Sequence, residues 1–223
     1  MGTLYLVRHG QASFGADDYD QLSDLGARQC RRLGEYFGQR GRRFSAVLRG
    51  SLKRHQQSLD ALLQGLGADT PPAQAFPGLN EYDSAAVVRA FHPEPLGPAT
   101  TPDGYRQHFR ILRQGLQAWM DGRTQPEGMP SYAGFVAGIV AALDHVRAST
   151  DGDVLLVSSG GPISTAVGQV LGMPAPGTIE LNMRLRNSAL TEFSFNPKRH
   201  VLQSFNHLPH LDSAEYEDWI TYT

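Results

Sequence analysis

The chain has 223 residues, 40% of them hydrophobic and 19% charged, with a formal net charge of −2. That composition supports one large core and excludes a disordered chain, and the near-neutral balance excludes a broad basic field for nucleic acid or an anionic membrane. A lone cysteine, Cys30, excludes an intrachain disulfide framework and a cysteine-rich zinc site, and no apolar run approaches the roughly 20 residues that span a bilayer. Charge appears too early at the N-terminus for a signal-peptide core, so the expectation is a cytoplasmic protein.

Thr3 to Val7 is a short apolar run of β-formers that empties into Arg8-His9-Gly10, which predicts a central strand followed by a loop. Ser23 is placed to cap a helix whose apolar stripe runs through Gly26, Cys30, Leu33 and Phe37, so Cys30 reads as a core residue. Phe44 to Leu48 predicts a second strand. After Ser51 comes a helix with Leu52, Leu59, Leu62, Leu63 and Leu66 on its buried side. Arg54 falls in the first turn of that helix, where a cation opposes the helix dipole by roughly 0.5 kcal/mol and a bound anion would remove the conflict.

Between about residues 71 and 130 prolines and glycines crowd together, as in His92-Pro93-Glu94-Pro95-Leu96-Gly97-Pro98, around one helical stretch from Asp103 to Met120. The pattern predicts a lid inserted at roughly 82–130 in a single domain spanning 1–223. Ser131 caps a further helix with Phe135, Val136, Ile139, Val140, Leu143 and Val146 facing the core, and Val154 to Val157 is the next buried strand. Ser158-Ser159-Gly160-Gly161-Pro162 follows, with Pro162 suited to the first position of a helix running to Leu171. Ala189 to Phe195 and Val201 to Phe205 predict two last strands, with a short tail from Leu211.

Three anion-competent features therefore fall at the carboxyl ends of strands, the edge where open α/β sheets bind ligands. They are Arg8-His9, Arg54 and Gly160-Gly161. A glycine pair at a helix N-terminus offers backbone donors, arginine forks clamp phosphate oxygens, and a histidine in line supplies a nucleophile. Each residue also has an ordinary reading in isolation. His9 could be a satisfied structural histidine, Arg8 and Arg54 ion-pair partners, Glu81 a solvated loop residue, Gly160-Gly161 a tight turn and Ser159 an N-cap. His207 and His210 do not match a two-histidine metal motif, and no nucleotide-binding glycine motif is present.

The segment Leu6-Val7-Arg8-His9-Gly10-Gln11-Ala12, with Leu22 to Gln29, Ser51-Leu52-Lys53-Arg54, Leu79-Asn80-Glu81 and the ending Asn206 and His210-Leu211, resembles the histidine phosphatase superfamily, which includes the phosphoglycerate mutases. The resemblance implies a three-layer α/β/α sandwich with a mainly parallel sheet and a metal-independent, cofactor-free phosphatase working through a phosphohistidine. His9 is then the nucleophile, Arg8 and Arg54 bind the phosphoryl oxygens, and Glu81 is the general acid. Gln11, Ser13, Ser159 and Gly160 complete the substrate site. It further implies a phosphorylated small molecule or phosphoprotein side chain as partner, and is compatible with a homodimer.

One departure stands out: Ser159 occupies the place of the family's second histidine. A phosphate-binding or regulatory module of the same fold is therefore the competing function, with a mutase third. His55 follows Arg54, but helix neighbours point about 100° apart, so it is not counted among the site residues.

Overall fold

The structure, a computed structural model, describes residues 1–13, 20–94, 96–97, 101–149 and 151–222. Pro95 and Pro98 of the proline-rich run lie outside them. Strand β1 (Gly2–Arg8) is followed by α1 (Asp24–Gln39), β2 (Ala46–Arg49), α2 (Lys53–Leu66) and the two-residue β3 (Gln74–Ala75). Next come α3 (Ser84–Phe91), α4 (Pro102–Met120), α5 (Tyr132–Ser149), β4 (Val154–Ser158), α6 (Gly160–Leu171) and α7 (Ala175–Arg184). Strands β5 (Leu190–Asn196) and β6 (Arg199–His207) close the sheet, and a 3-10 turn spans Ala214–Trp219.

The six strands run in the order β3-β2-β4-β1-β5-β6. The first four are mutually parallel, and β5 and β6 add an antiparallel edge beside β1. Alternation along β1 explains the layering. Leu4 and Leu6 join a core with α4, α5 and α6, whereas Tyr5 and Val7 join one with α1 and α2 on the opposite face. Strand β4 divides in the same way, Val154 and Leu156 to one side and Leu155 and Val157 to the other. The result is an α/β fold of three layers.

Several boundaries differ from expectation for local reasons. Helix α6 begins at Gly160, so Pro162 is its third residue; its missing N–H costs nothing there, because none of the first four amides has an intrahelical acceptor. Helices α3 and α7 were not legible in the sequence. Helix α7 opens Ala-Pro-Gly and buries only Thr178 and Ile179, too few apolar anchors to set a period. The tail beyond Leu211 is tied down, with Gln29 Nε2 donating to the Trp219 carbonyl at 2.6 Å and to Thr221 Oγ1 at 3.0 Å. Among the described residues no helix is long and apolar enough to cross a membrane.

Candidate active site

Because β1, β2 and β4 are parallel, their carboxyl ends open on one edge. Arg8 stands opposite Ser158, and Arg49 opposite Val157. The chain segments leaving these strands, Arg8-His9, Gly50 to His55 and Ser159 to Gly161, are thereby gathered at one edge of the sheet. Glu81 joins them after a 3-10 turn at Pro77–Leu79.

His9 is 3% exposed, and its Nδ1 lies 2.7 Å from the Gly10 carbonyl. A carbonyl only accepts, so Nδ1 carries the proton and Nε2 keeps its lone pair. Burial, then the cations Arg8 and Arg54 and the His55 ring, hold the His9 imidazole well below the usual histidine range, so it stays neutral. Its carbonyl accepts from Ser188 N–H at 3.2 Å and Asn187 Nδ2 at 3.4 Å, and Ser188 Oγ in turn sits 2.9 Å from Nε2 of buried His210. The conspicuous C-terminal histidine thus braces the loop behind His9. His207 is exposed.

The Arg8 guanidinium donates to the carbonyls of Leu185 and Tyr222, the latter at 3.1 Å, which fixes its approach to the cleft. Arg54 Nη1 donates to Asp20 Oδ1 at 2.8 Å. Asp20 also accepts from the backbone amides of Lys53 at 2.9 Å and Arg54 at 3.4 Å, so its carboxylate caps α2. The conflict between Arg54 and the helix dipole is therefore answered by an anion supplied within the protein. No spacing in the sequence links Asp20 to Arg54.

Glu81 is partly buried rather than a solvated loop residue. Both its oxygens accept from Gly161 N–H, at 3.1 and 3.2 Å. Burial raises its carboxyl above the ordinary carboxylate range, against the opposing effect of Gly161 N–H, Arg54 and Arg8. The approach requires glycine, since a Cβ on Gly161 would lie 2.2 Å from Glu81 Oε1. A Cβ on Gly160 would sit 3.7 Å from Glu81 Oε2 and 3.8 Å from Arg8 Nε, which measures how closely these three elements converge.

Other residues singled out in the sequence are engaged locally. Gln11 Oε1 accepts from Ser23 Oγ at 2.8 Å, and Ser13 Oγ donates to the Leu22 carbonyl at 3.0 Å. Ser159 occupies the N-cap position of α6 without capping it. Its hydroxyl instead lies 2.6 Å from Nε2 of His55. His55, left out of the site on helix geometry alone, thus touches Ser159. Cys30 is buried with its thiol pushed up to about 11 by desolvation, as suits an inert core residue. Among the described residues, no group of three or more His, Cys, Asp or Glu side chains could hold a metal ion.

A small cavity of about 20 Å³, room for roughly one water molecule, adjoins Gly161 and is lined by Tyr82, Trp119, Tyr132, Phe135, Thr165 and Asn182. Helix α4 supplies one wall. Its arginines face outward: Arg106 pairs with Asp103 and Arg113 with Glu180.

Burial of so many histidines has a consequence for stability. Desolvation, reinforced by neighbouring arginines, lowers both His55 and His210 to about 3, and lowers His9 as well. The unfolded chain protonates them near pH 6.5 while the folded chain does not, so their contribution is complete above that pH and is lost as pH falls toward the folded values. Glu81, with a raised carboxyl, acts in the opposite sense, but it is one group against three. The melting temperature should be level above about pH 7 and fall steadily from about pH 6.5 downward; a flat profile between pH 7 and 5 would contradict the burial of neutral imidazoles.

Taken together, the fold and its grouped side chains define a doubly wound α/β protein with a cationic, histidine-bearing cleft at the carboxyl edge of its parallel strands. The sequence profile of the histidine phosphatase superfamily (branch 1) matches residues 4–94 and 99–208, and the chain belongs to that family. Comparison with curated proteins gives no significant match. Among solved structures the chain is similar in fold to a phosphoserine phosphatase from Entamoeba histolytica in complex with 3-phosphoglyceric acid. That match has 21% identity and a TM-score of 0.66, covering 95% of this chain and 100% of the other. It is similar to a mycobacterial glucosyl-3-phosphoglycerate phosphatase at 20% identity and TM-score 0.64, covering 92% and 99%. An alpha-ribazole phosphatase from Shigella flexneri matches at 21% identity and TM-score 0.62, covering 92% and 96%.

Proposed function

We propose that the protein is a metal-independent phosphatase that hydrolyses phosphomonoesters through a phosphohistidine on His9. The observation that carries this reading is the buried neutral imidazole of His9, its Nδ1 proton committed to the Gly10 carbonyl and Nε2 left basic, with two arginines and a raised carboxyl around it. Nε2 attacks phosphorus, a P–N bond forms, and the P–O bond to the alcohol breaks while Glu81 gives its proton to the departing oxygen. Water then attacks phosphorus, Glu81 takes the proton back, and the P–N electron pair returns to Nε2 as inorganic phosphate leaves. Arg8, Arg54 and the amides opening α6 stabilise the phosphoryl charge throughout, which is most of what phosphoryl transfer asks of a protein.

Phosphatases are found among the structural relatives, and family membership supports the same chemistry. A phosphorylated small molecule or phosphoprotein side chain is the substrate class this reading implies. The alternative is a phosphate-binding module with little turnover, favoured by the serine at position 159. The discriminating assay is phosphate release from p-nitrophenyl phosphate and O-phosphoserine, with and without EDTA. Turnover that EDTA leaves intact is expected. Tight phosphate binding without release would select the binding module, and loss of activity on chelation would overturn metal independence.

A further inference from the structure

The resemblance places a second histidine where this chain has Ser159, and the structure holds an imidazole against that serine from another element. His55 is the third residue of α2 and has no exposed surface, as has Ser159. Nε2 of His55 lies 2.6 Å from Ser159 Oγ, and the ring centre lies 5.9 Å from that of His9. Space for the ring is provided by Gly50, where a Cβ would fall 2.2 Å from His55 Nδ1.

A plain core role accounts poorly for this pair. His55 Nδ1 is buried and has no hydrogen-bond partner among the described residues, so an apolar side chain of similar volume would fill the position at lower cost. The orphaned nitrogen also fixes the polarity of the contact. A buried N–H without an acceptor is rarer than an acceptor without a donor, so the proton belongs on Nε2 and is donated to Ser159 Oγ. Ser159 then accepts from His55, and its own proton is available to a third group. It stands at the N-cap of α6 beside Gly160, at the same sheet edge as Arg8 and His9.

We infer that His55 and Ser159 together take the place of the missing histidine: His55 is a positioning residue that orients the Ser159 hydroxyl as a donor to the phosphoryl group moving to and from His9. This rests on the phosphatase reading above. The imidazole has in effect moved from a strand end to a helix start, with a serine bridging the gap. Restoring histidine at position 159 alone is a poor test, because it would collide with the ring already there.

The experiment compares the wild type with His55→Ala, Ser159→Ala, the double alanine variant, His55→Gln and the exchange His55→Ser/Ser159→His. For each, kcat and KM on p-nitrophenyl phosphate, the Kd of orthophosphate by calorimetry and the melting temperature are measured. Either single alanine change should lower kcat by about 100-fold with KM altered no more than about twofold, since the donor matters most as charge develops. The double variant should be no worse than the poorer single. His55→Gln, whose amide keeps a donor near the same place, and the exchange variant should each recover at least about tenfold over the double. Unchanged kcat in His55→Ala, or single effects that multiply in the double variant, would overturn the inference. If His55→Ala fails to fold, His55→Gln and Ser159→Ala carry the comparison. If the wild type releases no phosphate at all, the phosphatase reading fails separately, and orthophosphate binding decides. The single changes should then weaken Kd equally and without further loss in the double, whereas unaltered affinity rejects the pair.

Discussion

His9→Ala should lower kcat/KM on any phosphomonoester by roughly 10,000-fold or more and abolish formation of a phosphorylated protein, while the fold survives. The size follows from the role: no other side chain can accept the phosphoryl group once the ring is removed, and the remaining arginines and amides stabilise charge without a nucleophile to use it. Stability should change little by comparison. Among the described residues the ring makes one hydrogen bond, to Gly10, and the loop carbonyl stays held by Asn187 and Ser188. Rapid-quench labelling with radioactive substrate reads the intermediate, which should withstand base and be lost in acid as a phosphoramidate. Wild-type turnover with no labelled histidine, or a variant within tenfold of wild type, would place the chemistry elsewhere.

Glu81→Gln should produce the second largest loss, about 100- to 10,000-fold on alkyl phosphates. The amide oxygen can still accept from Gly161 N–H, so the loop stays in place and only the transferable proton is lost. p-Nitrophenolate leaves without much protonic help, so on that ester the first step is spared while water activation is not. A burst of p-nitrophenol followed by slow turnover is the expected signature. The pH profile should change with it. Wild-type activity should fall on the acid side as His9, depressed by burial and cations, takes a proton, and on the alkaline side as Glu81, raised by burial, loses one. The alkaline limb therefore lies above the ordinary carboxylate range and should vanish in Glu81→Gln; its persistence would assign the acid to another group.

Much of the scaffold was legible because each element carries its own signal. The run Thr3 to Val7, the stripe on α1 and the apolar Val154 to Val157 each bury surface with the period of their own secondary structure, and the elements lie within a few residues of where those patterns put them. Short elements were missed, among them the eight-residue α3, whose buried Ala86, Val87 and Val88 are consecutive and set no period, the sparsely buried α7 and the two-residue β3. The Ser131 cap was readable, its hydroxyl accepting from Gly134 N–H at 3.2 Å. The start of α6 was displaced because three successive residues, Gly160, Gly161 and Pro162, are all tolerated in a first turn.

By itself, the sequence determined the class of fold and the grouping of Arg8, His9, Arg54 and Gly160-Gly161 at one sheet edge, and Glu81 was added only by the family resemblance. Strand-end residues on parallel neighbours must share an edge whatever the details of packing. Only the tertiary structure decided the contacts that connect those residues to the rest. Asp20 lies 34 positions from Arg54, and His55 lies 104 positions from Ser159. Such partners carry no local period, because whether two buried side chains meet is set by how distant elements pack together and by the room that Gly50 leaves.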